Sequence, residues 1–440
     1  MLQASLRSGA ADRRAVFELF GRRLPPGRRF GVVAGVGRAL QALAAFRFDD
    51  DVLACLRERR VVDEATLSWL GEFRFSGDMW GYAEGETYFA GSPLLVVEST
   101  FAEAVLLETL LLSIYNHDCA VASAASRMVL AAEGRPCIEM GSRRTHEEAG
   151  VAAARAAYIA GFASTSNLAA GQRYGVPTAG TSAHAFTLVH DRERDAFAAQ
   201  VAALGRGTTL LVDTYDVEGA VETAVEVAGR GLGAVRLDSG DLTALARQVR
   251  RQLDRLGATG TRVVVTSDLD EHAIAALAAA PVDGYGVGTS LVTGSGHPTC
   301  GFVYKLVARS GSGAAGDGLV AVAKRSSDKL SIGGRKWAVR RRDGDGVAAA
   351  EVVGVGALPP VGPHDRELMV PLVRAGEIVG REPLKAARDR HRRAHAELPL
   401  SARQMSRGEP AIPTDYLGDG RPGSPTPFAP PRHDSQEADR

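Results

Sequence analysis

The sequence predicts an α/β protein: a parallel sheet or barrel of strand-helix units, joined to a second domain of helices and antiparallel strands. Three observations lead there. Between residues 137 and 292 short apolar runs recur about every 25 residues, each followed by a helical pattern, the spacing of βα units. These runs are apolar on both faces, as strands of a covered parallel sheet are. After Cys300 the pattern changes to strand-like runs separated by Gly-rich turns.

Taken in order, residues 16–20 read as a strand and 33–46 have helical apolar spacing. Residues 87–97 read as two short strands around Gly91-Ser92-Pro93. A strongly apolar helix is expected over 101–114, with a second helix running through Met128. The repeating units then begin. Strands are expected at 136–140, 161–163, 208–212, 234–237, 262–266 and 284–287. Helices are expected at 147–159, 166–174, 218–228, 242–256 and 271–279. Residues 302–307, 319–324, 337–341 and 351–353 read as antiparallel strands that return to the N-terminal domain. Residues 384–405 read as an Arg-rich helix. The expected organisation is a discontinuous α+β domain (1–135 with 300–383), an α/β barrel catalytic domain (136–299), a helical segment (384–417) and a disordered tail (418–440).

Composition excludes several classes. The chain has 440 residues, 45% apolar and 24% charged, and Lys plus Arg equals Asp plus Glu at 52 each. Nothing in that balance argues for nucleic acid or an acidic membrane as partner. The basic pairs Arg22-Arg23 and Arg28-Arg29 read as solvated surface. The four cysteines, Cys55, Cys119, Cys137 and Cys300, form no C-x-x-C pair, so neither a zinc knuckle nor a disulfide framework is expected. The first residues lack the apolar core of a signal peptide, and Glu98, Glu103 and Glu108 interrupt the most apolar stretch, 93–115. A cytoplasmic, membrane-free protein is expected.

The chemistry collects where the apolar runs end. In a parallel α/β fold these endings converge on one face, where the active site lies. His184, in Gly-Thr-Ser-Ala-His at 180–184, reads as following a short strand, and a neutral imidazole is a competent nucleophile toward a phosphoryl group. Alone it reads more readily as a structural histidine; its expected place at a strand end beside Thr181 and Ser182 favours the catalytic reading. In Arg236-Leu237-Asp238-Ser239-Gly240-Asp241, alternation puts Arg236 and Asp238 on one side of a strand. There the guanidinium can grip an anion or stack on a ring, and the carboxylate can hold sugar hydroxyls or hydrated Mg²⁺. The competing reading is an ion pair beside a helix cap. Gly286-Val287-Gly288-Thr289-Ser290 lets backbone N–H groups approach a phosphate, or is simply a tight turn. Arg143 and Arg144 suit a phosphate or pyrophosphate, or are a surface pair. Asp213, Asp216 and Asp268 are further acids on the same rim, of which Asp216 and Asp268 read as helix caps.

The ordered set is more specific than its parts. Phe17-Glu18-Leu19-Phe20, Gly141-Ser142-Arg143-Arg144, the run Phe162 to Asn167, Gly180 to His184, Leu211 to Tyr215, Val235 to Asp241, Gly286 to Ser290 and Val303 to Leu306 occur in sequence. The series resembles nicotinate phosphoribosyltransferase over about residues 11 to 415. The resemblance implies an irregular α/β barrel of the type II phosphoribosyltransferase kind with a discontinuous α+β second domain. It implies a homodimer with active sites at the subunit boundary. The implied reaction joins nicotinate to phosphoribosyl pyrophosphate, coupled to ATP hydrolysis and assisted by Mg²⁺, possible near Asp238. His184 then matches a transiently phosphorylated histidine. Thr181 and Arg236 match nicotinate-holding positions, and Asp238 an acid near the ribose. Gly288 and Thr289 match the phosphate loop, and Arg143 a basic residue near the phosphates. Members of the family usually carry Thr-Asp-x-Tyr-x-Leu-Thr-Met at the front, where this chain begins Met1-Leu2-Gln3, so an in-frame segment upstream of Met1 is expected.

Three alternatives are kept beside this reading. One is a phosphoribosyltransferase for nicotinamide or quinolinate. Another is a catalytically silent nucleotide-binding paralogue. The third is a barrel aldolase, which would need a strand-end Lys where this region has few.

Overall fold

A computed structural model describes residues 1–311, 318–324 and 331–418, and the backbone of 426–427. The expected disordered tail therefore lies, apart from Gly418 and that backbone, outside the described residues. The chain forms two compact units, 1–119 with 299–440, and 120–298. The division falls inside the long helix Glu108–Ala131, not at 135. The later half of that helix belongs with the second unit because Arg127 Nε pairs with Glu271 Oε1 at 3.0 Å, both side chains about 5% exposed.

The first unit is discontinuous because strand Phe302–Ser310 pairs antiparallel with Arg14–Gly21, Leu19 lying opposite Tyr304. These strands sit in a seven-stranded sheet with Leu95–Thr100, Asp78–Tyr82 and Met369–Arg374. A second sheet is built on Lys336–Arg342 and Ala348–Val355. Its interior is charged. Arg340 is fully buried, donates to Glu351 at 2.9 Å and lies over the Phe89 ring. Lys336 pairs with the equally buried Glu18. Removing one partner of such a pair would strand a buried charge, at a cost of about 3–5 kcal/mol.

The second unit is the repeating region. Its strands are β1 (Cys137–Glu139), β2 (Ser164–Thr165), β3 (Thr209–Leu211), β4 (Ala234–Leu237), β5 (Arg262–Val265) and β6 (Gly284–Val287). They pair in parallel, in the order β2-β1-β6-β5-β4-β3, and curl into an incomplete barrel. Val235, Leu237, Val263, Val265, Tyr285 and Val287, alternate residues on one face of these strands, are all fully buried. The helices are α1 (Glu147–Ile159), α2 (Leu168–Tyr174), α3 (His184–Leu188), α4 (Glu193–Leu204), α5 (Val217–Ala228), α6 (Leu242–Arg255), α7 (Glu271–Ala276) and α8 (Thr289–Val292).

Three local expectations differ from the structure. The strand expected at 161–163 lies at Ser164–Thr165, because Gly161 takes φ +113° and turns the chain before the strand begins. His184 does not follow a strand: 178 makes an isolated bridge to Thr165, and His184 opens α3. Asp268 is not the cap of α7; Asp270 is, accepting from Ala273 N at 2.8 Å. Asp216 caps α5, as its position suggested, and Asp241 caps α6. Each such cap contributes about 1 kcal/mol.

Candidate active site

Parallel strands place every following loop at one edge of the sheet, and there Arg236 gathers its neighbours. The residue lies on β4 between Leu211 of β3 and Val264 of β5. Leu237 turns into the core, so Arg236 and Asp238 share the other face. Arg236 is 8% exposed. Its Nη1 donates to Thr181 Oγ1 at 2.6 Å and to the Ser182 carbonyl at 3.2 Å. Its Nη2 reaches Asp238 Oδ1 at 2.9 Å, and its Nε donates to Thr266 Oγ1 at 2.9 Å. One planar fork thus ties together β4, β5 and the loop that carries His184.

The imidazole of His184 has Nε2 at 3.8 Å from Asp238 Oδ2, and Nδ1 at 3.2 Å from Thr214 Oγ1. Burial raises the Asp238 carboxyl, but hydrogen bonds from Thr266 and Arg236, with the charges of Arg236 and His184, outweigh it and hold the group below the ordinary range. Asp238 is therefore a carboxylate at neutral pH. Its Oδ1 is occupied by Arg236 and Thr266, and its Oδ2 faces the imidazole. Below it, Asp213 Oδ2 accepts from Asp238 N at 2.9 Å and from the Ser239 hydroxyl at 2.7 Å, fixing the loop.

A second cluster forms where the loops after β1 and β6 meet. A methyl group on Gly141 would lie 2.8 Å from the Gly288 carbonyl and 2.3 Å from a Val292 methyl, so only glycine permits this approach. The same loop is held from beneath by Glu139, wholly buried, which accepts from Gly141 N and from the Thr165 hydroxyl. Burial pushes the Glu139 carboxyl up by more than those two bonds bring it down. Asn167 Nδ2 donates to Ser142 Oγ at 2.9 Å and joins the loop after β2 to the same assembly. Arg143 and Thr289 are exposed beside this junction. Thr289 opens the four-residue α8 directly after Gly288.

These two clusters share an edge of the sheet, with β5 between β4 of the first and β6 of the second. The N-terminal domain profile of nicotinate phosphoribosyltransferase matches residues 1–116. Nicotinate phosphoribosyltransferase pncB1 of Mycobacterium tuberculosis is 60% identical over 424 residues, covering 94% of this chain and 92% of that protein. The pncB2 protein of the same organism is 40% identical, covering 89% and 84%. The chain belongs to the nicotinate phosphoribosyltransferase family. The crystal structure of human nicotinic acid phosphoribosyltransferase superposes with a TM-score of 0.80 at 26% identity, covering 95% of this chain and 96% of that one. The nicotinate-nucleotide pyrophosphorylase from Pyrococcus furiosus has the same fold, with a TM-score of 0.73. The type II phosphoribosyltransferase fold is thus the fold of this chain.

For this family member, the structure brings His184, Thr181, Arg236 and Asp238 into direct or near contact. Arg143, Gly288 and Thr289 form the separate cluster at the β1–β6 junction. Sequence reasoning missed Thr266, Thr214 and Glu139. Thr266 reads as one more strand residue, because a β-branched residue after three valines continues the pattern. Glu139 lies inside the apolar run that forms β1. Its signal in the sequence is an acid set within an otherwise apolar strand-like run.

Proposed function

We propose that this chain catalyses attack of the nicotinate ring nitrogen on C1 of phosphoribosyl pyrophosphate, in the cytoplasm, with ATP hydrolysis coupled through a phosphohistidine at His184. The observation that carries the reading is that Thr181, Asp238 and His184 gather around Arg236 at one edge of the sheet. In the transfer, the N–C1 bond forms and the C1–O bond to pyrophosphate breaks. The leaving group departs with the bonding pair. No general base is required, because the ring nitrogen brings its own lone pair.

The demand on the protein is positioning and charge. Arg236 presents a guanidinium that can meet the nicotinate carboxylate, with Thr181 beside it. Asp238 sets a fixed negative charge near a sugar carbon that becomes cationic. Arg143 and the Gly288–Thr289 turn face the phosphates. His184 receives the γ-phosphoryl group of ATP on a ring nitrogen, releasing ADP; hydrolysis of the N–P bond then returns the imidazole and phosphate. The added negative charge beside Asp238 alters affinity for phosphoribosyl pyrophosphate, which is how ATP drives the equilibrium.

Mg²⁺ fits the donor set in a limited way. Among the described residues no cluster of three or more His, Cys, Asp or Glu forms a metal cage. Mg²⁺ commonly binds one or two carboxylates plus substrate phosphates. Asp238, through Oδ2, and Asp213, whose buried Oδ1 has no hydrogen-bond partner, would hold it. When bound it would neutralise phosphate charge. Exposed Leu168, Leu188, Val189 and Tyr215 on the loops and helices after β2 and β3 support a homodimer that covers this edge. No helix among the described residues is long and apolar enough to cross a membrane.

The test is product formation from nicotinate, nicotinamide and quinolinate, with and without ATP, by wild type and His184→Ala. The expected result is nicotinate mononucleotide from nicotinate alone, stimulated by ATP in wild type only. Equal ATP stimulation of the variant would remove the phosphohistidine from the mechanism. Preference for another pyridine would replace the substrate.

A further inference from the structure

Among the buried polar groups at the strand ends, Thr266 touches two of the proposed substrate-holding side chains at once. It follows β5, between the two clusters, and is 3% exposed. Its Oγ1 accepts the Arg236 Nε–H at 2.9 Å. Its own hydroxyl hydrogen goes to Asp238 Oδ1, since the other acceptor in reach, the Leu237 carbonyl, is 3.5 Å away and uncharged. Arg236 Nη2 closes the ring by donating to the same Asp238 oxygen at 2.9 Å. On its other side the Thr266 methyl packs on β6: a Cβ on Gly286 would come within 2.5 Å of it. Gly286 leaves room for this methyl, and with the methyl on that side the hydroxyl turns toward Arg236 and Asp238.

This fixed hydroxyl has a consequence for Arg236. A guanidinium on a long side chain loses much rotamer entropy when it is ordered. Thr266 fixes the Nε end of the plane, while Thr181 and Ser182 fix Nη1 and Asp238 fixes Nη2. Of the Thr266, Thr181 and Asp238 side chains, Thr266 is the one wholly inside the sheet edge, and it orients both charges. The next residue, Ser267, sits at φ +118°, a conformation a non-glycine residue adopts only where its surroundings impose it. That forced turn takes the chain off β5 immediately after the Thr266 hydroxyl.

We propose that Thr266 is a positioning residue for both substrates of this enzyme, locking Arg236 and Asp238 into one hydrogen-bonded ring. The proposal rests on the functional reading that Arg236 serves nicotinate and Asp238 serves the ribose. Loss of the hydroxyl should then weaken two unrelated ligands together, because each depends on a different member of the ring.

The experiment compares Thr266→Val, which keeps shape and loses the hydroxyl, with Thr266→Ser, which keeps the hydroxyl and loses the methyl. Steady-state kinetics are measured on the full chain for nicotinate and phosphoribosyl pyrophosphate separately, alongside thermal unfolding. The expected result for Val is a rise of about tenfold in both KM values, the effect of losing roughly one hydrogen bond to a charged group. The Ser variant should stay within about threefold of wild type. If the Val variant does not fold, Thr266→Ala carries the same kinetic test. A second readout does not need turnover: the Arg236 Nε–H resonance in ¹⁵N-arginine-labelled protein, slow to exchange in wild type and fast in the Val or Ala variant. Unchanged KM values in the hydroxyl-free variant would overturn the proposal. So would a rise confined to one substrate, or a Ser variant as impaired as the Val variant. If wild type formed no nicotinate mononucleotide, the functional reading would fall, while the Nε–H measurement would still decide whether the ring exists.

Discussion

Replacing Arg236 by Lys tests the site most directly, because it keeps the charge and removes the fork. The guanidinium makes four hydrogen bonds, to Thr266, Thr181, Ser182 and Asp238. An ammonium at the end of a lysine is a single nitrogen with no second branch, so it can retain the Asp238 contact or the Thr181 contact but cannot span from Thr266 to Ser182. Three bonds at about 1 kcal/mol net each make about 3 kcal/mol. Asp238 and His184 are partly exposed, so solvent can replace part of the loss in the free enzyme and the larger share should appear when the site is occupied. About 3 kcal/mol in kcat/KM is about a hundredfold. The assay is initial-rate formation of nicotinate mononucleotide at varied nicotinate, with thermal unfolding measured in parallel. A decrease below about fivefold, with folding intact, would mean that a point charge suffices and that the fork has no role in holding the substrate.

Two other outcomes follow from the same physics. Ser267→Gly should raise the melting temperature by about 2 °C, because removing Cβ relieves about 1–3 kcal/mol of backbone strain against about 1 kcal/mol of added glycine entropy. Ser267 is exposed, so no packing is lost, and a lowered melting temperature would show that φ +118° is not strained here. His391, on helix Leu384–Ala396 of the first unit, is pushed down by burial to about 3. Its folded pKa lies below the unfolded value of about 6.5, so the unfolded chain binds the extra proton between these limits. Stability from this group is complete above pH 6.5 and is lost as pH falls toward 3, at about 1.4 kcal/mol per pH unit. His391→Gln should flatten the fall in urea-unfolding midpoint between pH 7 and pH 5; an identical slope in both proteins would place the titrating group elsewhere.

The sequence by itself determined the periodic part of the molecule. The strands around Val235, Val263 and Tyr285 were legible because their buried residues form short, largely apolar, β-branched or aromatic runs that recur at βα spacing. The strand-end residues were legible because parallel topology obliges each following loop to face one edge. The family was legible in the order of those endings. Tertiary structure alone decided the rest. Nothing local distinguishes Thr266 from one more strand residue, since its hydroxyl gains meaning only from Arg236 and Asp238, 28 to 30 positions away. His184 begins a helix where a preceding strand was expected, because the loop before it is fixed by Arg236 through Thr181 and Ser182 and not by its own propensity. Asp270 caps α7 where Asp268 was expected, since both are acids near the helix start and only the folded chain shows which carboxylate meets the free N–H groups. Periodicity records what a residue does for its own element. Contacts between elements are set by where the sheet brings them, and a linear pattern carries no trace of that.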